Sequence, residues 1–256
     1  MEAHSRLAFQ GICHAFRGPG GSVPVLDDIA FEVPAGRFVA VIGPSGCGKS
    51  TLLQMAAGLL RPGQGTVRRD GAPVAGVQDI GFVPQQALLF PWKTLAENVG
   101  LKLAFAGVPA AARRERVRQA LADVGLDGFG DHYPRQLSGG MQKRGAIART
   151  LVYDPDVILM DEPFGALDAQ TRMVMQRDLQ TLVMRSRASV LLVTHDITEA
   201  VLLADEVVVL SRRPARVLAR HQVDLPRPRD VFEPFRNSGF DAAYGAIWAA
   251  FRDEVQ

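Results

Sequence analysis

Only two cysteines, Cys13 and Cys47, occur in the 256 residues. Two are too few for a disulfide framework, and Cys47 lies in a glycine-rich loop where a bridge would hinder the turn. A reducing compartment is expected. No run approaches the roughly 18 apolar residues needed to span a bilayer. The opening Met1-Glu2-Ala3-His4-Ser5-Arg6 carries no apolar signal core. The chain therefore reads as soluble and intracellular, and work at a membrane would need partners that cross it. Charge of one sign is also lacking: the formal net charge is +2, whereas nucleic-acid binding draws on a clustered basic patch. Internal repeats and low-complexity tracts are absent. What remains is ordinary globular composition, 47% hydrophobic and 22% charged, which excludes disordered and fibrous classes. A chain of this length can bury about three quarters of its unfolded surface, as one large α/β domain or two small ones. One domain is the economical count.

The stretch Gly43-Pro44-Ser45-Gly46-Cys47-Gly48-Lys49-Ser50-Thr51 fits G-x-x-x-x-G-K-[ST] at every fixed position, which points to a cradle for a nucleotide triphosphate. An apolar, β-branched run at 38–42 precedes it and a helical pattern at 50–60 follows it, giving the required order of strand, loop and helix. The glycines let backbone N–H groups turn inward, and the helix N-terminus adds positive potential for phosphate oxygens. Lys49 would reach the β and γ phosphates and the Ser50 hydroxyl would ligate Mg²⁺. On these nine residues alone, a glycine-rich turn with a chance lysine is the alternative.

On either side of the loop, residues 7–16, 25–33 and 66–68 read as strands, with Gly18, Gly20, Gly21, Pro34 and Gly36 as punctuation. They suggest a small antiparallel sheet around the first core strand. Phe16 is either a strand core residue or an adenine-stacking ring. A short strand at 80–83 runs into Pro84-Gln85-Gln86, and polar residues at strand ends are where α/β sites gather. From 88 to about 153 the pattern is helical, with Val117, Ala120, Leu121 and Val124 on one face and Arg113, Arg114, Arg116 and Arg118 on a solvated one. Leu137-Ser138-Gly139-Gly140 opens another helix, as a phosphate contact or a plain cap. The apolar run Val157-Ile158-Leu159-Met160 ends in Asp161-Glu162, which suits a buried parallel strand that delivers carboxylates to a site. A helix follows Ala166-Leu167-Asp168 and runs toward Ser186. The strand at 190–193 then ends at Thr194-His195-Asp196, beside where phosphates should lie. A hairpin around Arg212-Arg213-Pro214-Ala215 and a tail helix come last, with Phe240, Tyr244, Ile247, Trp248 and Phe251 as packing residues.

In order and spacing, residues 43–51, Gln85, Leu137 to Gln142, Asp161-Glu162, Asp168 and His195 resemble the ATP-binding subunits of ABC transporters over nearly the whole chain. Leu89-Phe90-Pro91-Trp92, Glu97-Asn98-Val99 and Leu225-Pro226-Arg227-Pro228-Arg229 are similar to the nitrate, sulfonate and taurine importer group. The resemblance implies an α/β fold: a P-loop NTPase (RecA-like) core with an N-terminal antiparallel β-subdomain and an inserted α-helical subdomain. Its expected bounds are about 1–87 for the β-subdomain and P-loop core, 88–155 for the helical subdomain, and 156–256 for core and C-terminal helices. It implies ATP held by backbone amides of Ser45 to Thr51 and by Lys49, and Mg²⁺ held by Ser50, Gln85 and, through water, Asp161. Glu162 would be the general base, His195 would contact the γ-phosphate and Phe16 would stack on adenine. Ser138, Gly139 and Gly140 would reach the γ-phosphate bound by a second copy of the chain in a head-to-tail dimer. Two transmembrane permease subunits, indirectly a solute-binding protein, and a place on the cytoplasmic face of a bacterial inner membrane follow from the same resemblance. Two departures stand out: Met141 occupies a place often held by glutamine, and Gly145 lies inside a helix, where glycine costs roughly 1 kcal/mol against alanine.

Phosphoryl transfer to water needs in-line positioning and charge neutralisation, so a cationic loop, a metal and one base suffice. Importers of a pyrimidine vitamin precursor stay open on this reading. A soluble ABC-type ATPase acting on nucleic acid or ribosomes is a further alternative, but the stretch between Gln85 and Ser138 leaves no space for the long coiled coil such relatives carry. A P-loop kinase with a chance Ser-Gly-Gly is the remaining one.

Overall fold

The computed structural model describes residues 5–18, 21–165 and 167–254; Met1 to His4, Pro19, Gly20, Ala166, Val255 and Gln256 lie outside them. Its centre is a six-stranded sheet in the order β10-β9-β3-β8-β7-β6. The strands are β3 (Phe38–Ile42), β6 (Gly81–Val83), β7 (Val157–Asp161), β8 (Ser189–Thr194), β9 (Glu206–Leu210) and β10 (Val217–Gln222). All neighbours are parallel except the hairpin β9–β10. Burial on both faces explains why β3, β7 and β8 read as unbroken apolar runs instead of alternating ones.

The two faces of β3 separate cleanly, because successive side chains in a strand point to opposite sides. Phe38, Ala40 and Ile42 join a core made with the helices. Val39 and Val41 join a second core with Leu52, Leu53 and Met55 of α1 (Lys49–Ala56) and with the second sheet. That sheet, in the order β2-β1-β4-β5, is antiparallel: β1 (Ser5–Gly18), β2 (Gly21–Pro34), β4 (Gln64–Arg69) and β5 (Ala72–Pro73). It is the antiparallel subdomain expected from the punctuated strands.

The helical portion holds α2 (Leu95–Val99), α3 (Leu101–Phe105), α4 (Ala110–Asp123) and α5 (Gly139–Leu151). Val117 and Leu121 of α4 are buried as the periodicity required. Helix α2 begins on a capping box, in which Thr94 accepts from the Glu97 amide and Glu97 accepts from the Thr94 amide. Gly145 of α5 has a packing reason: a Cβ there would stand 2.6 Å from Leu95 Cδ1. The chain then returns through α6 (Ala169–Ser186), α7 (Ile197–Leu203) and α8 (Phe240–Phe251). In α8 Phe240, Ile247 and Phe251 are buried, so that aromatic stripe is mainly packing, with Trp248 left half exposed.

One boundary differs from the sequence reading: α1 ends at Ala56, not at residue 60, because the chain turns at 57–60 and Gly58 adopts φ 71°. Among the described residues no helix is long and apolar enough to cross a membrane, and both cysteines are free.

Candidate nucleotide site

Strand order assembles the site. Since β3, β8, β7 and β6 are parallel neighbours, their C-terminal ends bring residues 43–51, 194–196, 161–162 and 84–86 to one edge of the sheet, where ligands of open α/β folds bind. An open cleft of about 210 Å³ at that edge is lined by Phe16, Val25, Gly46, Gly48, Lys49, Ser50, Thr51, Glu162 and Arg213.

The loop 43–51 wraps back on itself through the Cys47 amide, which donates to Pro44 O (3.2 Å). Gly48 takes φ 117°, and a Cβ there would lie 2.7 Å from Leu26 and 2.8 Å from Val25, so both backbone conformation and space demand glycine. No side chain caps the N-terminus of α1. Its first-turn amides therefore stay available for anionic oxygens and carry the positive end of the helix dipole. Lys49, only 5% exposed, donates to Gly43 O (2.7 Å) and Pro44 O (2.9 Å). Its ammonium is thus held inside the loop by carbonyls, without a paired carboxylate among the described residues. Burial pushes the Cys47 thiol up, with Lys49 opposing, so Cys47 is a packed neutral thiol and not a nucleophile.

The acidic side is built on β7. Ser50 Oγ donates to Asp161 Oδ1 at 3.0 Å. Burial raises the Asp161 carboxyl above its usual range; the Ser50 hydrogen bond opposes this, the neighbouring Glu162 charge adds to it, and Lys49 and Lys143 lower it. Glu162 sits at φ 42°, a left-handed conformation uncommon for a side chain of this size. Its amide donates to Val193 O at the end of β8 (2.9 Å). Its two carboxylate oxygens are bracketed, with His195 Nδ1 3.2 Å from Oε1 and Gln85 Nε2 donating to Oε2 at 3.2 Å. Ser50 hydroxyl, Gln85 amide and Asp161 carboxylate form a set of hard oxygen donors suited to Mg²⁺, which commonly takes one or two carboxylates plus phosphate oxygens and water.

Phe16 is 44% exposed, which removes the core reading; its ring meets His14 edge-on at 4.7 Å and faces the cleft. The remaining candidates lie apart from this cleft. Ser138 caps α5, accepting from the Met141 amide at 3.2 Å, and a Cβ on Gly139 would meet nothing within 4 Å. Gly140 packs toward Thr171. Asp168 caps α6 by accepting from the Thr171 amide at 3.0 Å, and the Thr171 side chain first, then this amide, hold its carboxyl below the usual range.

Four supporting residues escaped the sequence reading. Buried Lys143 donates to Pro84 O (3.2 Å) and Gln85 O, and Arg149 donates to Leu88 O (2.8 Å) and Ala87 O (3.3 Å), which ties α5 to the Gln85 loop. Buried Glu199 accepts from Thr194 Oγ1 at 2.7 Å, and that oxygen accepts from the Asp196 amide at 3.1 Å, which fixes the turn carrying His195. Arg213 reaches the loop from the β9–β10 turn. Helical spacing from Gly139 was the only available signal for Lys143; nothing local marked the others.

Residues 26–165 match the ABC transporter family. The taurine import ATP-binding protein TauB of Burkholderia pseudomallei is 41% identical over 252 residues, covering 98% of this chain and 97% of that protein. The aliphatic sulfonates import ATP-binding protein SsuB 2 of Burkholderia cenocepacia is 46% identical over 215 residues, 84% and 78% of the two chains. Among solved structures, a dimeric ATP-binding cassette in a post-hydrolysis state bound to ADP and Pi is 32% identical, with a TM-score of 0.77 over 85% of this chain and 98% of that one. The family match spans residues 43–51, the Gln85 loop and the paired carboxylates in one stretch, and the chain belongs to the ABC transporter family as an ATP-binding subunit that hydrolyses ATP.

Proposed function

We propose that this ATPase drives uptake of a small sulfonate-like solute, of the taurine and aliphatic sulfonate class. The observation that carries the reading is the end-to-end similarity to a taurine import protein, which extends through the C-terminal region beyond the nucleotide motifs. Membrane subunits would carry the solute, with this chain peripheral on the cytoplasmic face and a solute-binding protein outside.

Glu162 is the general base: Gln85 donates to one carboxylate oxygen and His195 Nδ1 lies 3.2 Å from the other, which fixes the carboxylate's direction and leaves lone pairs for the attacking water. His195 and Gln85 orient that carboxylate, and His195 reaches the γ-phosphate as the site closes. Lys49 exchanges its two carbonyl partners for β and γ phosphate oxygens, a stronger charge-assisted pairing, while amides of residues 45–51 cradle the rest and Phe16 stacks on adenine. Ser50, Gln85 and Asp161 would hold Mg²⁺, which would supply positive charge to offset the negative charge of the phosphates. Ser138, Gly139 and Gly140, absent from their own chain's cleft, complete the site of a second copy. ATP then favours the closed dimer because only that state supplies every contact.

The test is purification of the chain with its membrane subunits, reconstitution, and ATPase measurement with the solute-binding protein. Stimulation by taurine or alkyl sulfonates supports the reading. Stimulation by nitrate or a pyrimidine vitamin precursor alone, or retention on DNA at physiological salt without a membrane partner, overturns it.

A further inference from the structure

The turn between β9 and β10 carries three arginines with different surroundings. Arg216 pairs with Asp27 (2.5 Å) and Arg212 with Glu254 (3.5 Å), while the Arg212 amide also donates to Glu254 Oε2 (2.6 Å). Arg213 pairs with no carboxylate among the described residues. Its Nε donates to the carbonyl of Gly46 in the phosphate loop, and its Nη2 would be 3.2 Å from a Cβ built on Gly46. The position is fixed from two sides. The Ala215 amide donates to Val25 O (2.8 Å) and the Asp27 amide to Ala215 O (2.9 Å), which stitches the turn to β2. Arg212 anchors it to the C-terminal segment, where its Nη2 donates to Asp253 O (2.8 Å). A guanidinium thus stands at the wall of a cleft shared with Lys49, Ser50 and Phe16, with a neutral carbonyl as its one hydrogen-bond partner among the described residues.

We propose that Arg213 is a nucleotide-binding residue that adds a second cation, besides Lys49, to the polyphosphate of ATP and ADP. The proposal rests on residues 43–51 being the phosphate loop. A cation left without a carboxylate beside an anion site gains more from a phosphate oxygen than from a backbone carbonyl, and a guanidinium can offer two N–H groups to it. The contact is made to ground state and transition state alike, so it strengthens binding without raising kcat. Its anchoring through Arg212 makes the C-terminal segment a part of the nucleotide site.

Fluorescent ATP and ADP analogues titrated against the full chain with Mg²⁺ test this, using Arg213→Ala, Arg213→Gln and Arg213→Lys. Loss of one charge-assisted contact on an open cleft is expected to raise Kd roughly tenfold for both nucleotides in the Ala and Gln variants, with Lys within about threefold of wild type. The nucleotide-free melting temperature should stay near wild type. Gln separates the proposal from a mere clasp on Gly46, because it can still donate to that carbonyl but carries no charge. Wild-type affinity in the Gln variant, or Ala and Gln values within about twofold of wild type, overturns the proposal. If Ala fails to fold, the Gln variant decides alone. Wild-type protein that binds neither nucleotide would instead refute the phosphate-loop reading itself.

Discussion

Replacing Glu199 by glutamine should stabilise the protein at alkaline pH and leave it nearly unchanged in acid. Burial pushes this carboxyl from 4.5 up to about 7; the Thr194 hydroxyl lowers it, Asp196 raises it, and Arg172 and His195 lower it. A folded-state value above the unfolded one means that the native protein binds the extra proton. The associated stability is complete below about 4.5, falls as pH rises between the two values, and is lost above about 7. A gap of roughly 2.5 units at 1.36 kcal/mol per unit sets a ceiling of about 3 kcal/mol. Glutamine keeps an oxygen that can accept from Thr194 Oγ1 but never ionises, so the variant escapes the alkaline penalty. Urea unfolding at pH 4 and pH 8.5 should show an advantage for Glu199→Gln of about 1–3 kcal/mol at the higher pH and near zero at the lower. An equal difference at both values would refute the reasoning, because the residue would then act through packing alone.

Lys49→Ala should abolish nucleotide binding and hydrolysis together, read by analogue titration and phosphate release. Ser138→Arg should abolish hydrolysis while ATP binding persists in the isolated chain; normal turnover in that variant would remove the shared-site arrangement. Gly145→Ala gains roughly 1 kcal/mol of helix propensity but drives a methyl to 2.6 Å from Leu95 Cδ1. Overpacking of that kind costs about 1–3 kcal/mol, so urea unfolding should show no net gain, and a full 1 kcal/mol of added stability would show that α2 and α5 do not meet there. Lys143→Met should free the Gln85 loop and lower kcat by about tenfold with little change in ATP affinity, measured by steady-state hydrolysis against binding.

Local order made much of the site legible. The phosphate loop is nine consecutive residues, and Asp161-Glu162 and His195 each close an apolar run, so chain order alone placed them at strand ends. Parallel strand order, which sequence does not state, puts Gln85 beside Glu162: β6 and β7 are neighbours although some seventy residues separate them. The groups that were missed act across such gaps. Lys143 meets the Gln85 carbonyl, Arg213 meets Gly46, and Glu199 supports the His195 turn from within α7; each reads in sequence as an ordinary polar residue of a helix or turn. The end of α1 was overextended because the helical pattern continued where Gly58 turns the chain. Phe16 could not be assigned from its strand because alternation does not say which strand end projects past the core.

The central claim is that the cleft on one copy and Ser138 to Gly140 of another form one hydrolytic site with Glu162 as base. Its most direct test is Glu162→Gln with Mg²⁺ and ATP, followed by sedimentation and phosphate release. Removing a general base should slow turnover by about a hundredfold or more, while ATP still binds and the unhydrolysed nucleotide holds two copies together as a stable dimer. A variant that hydrolyses ATP at the wild-type rate, or that stays monomeric with ATP bound, contradicts the claim.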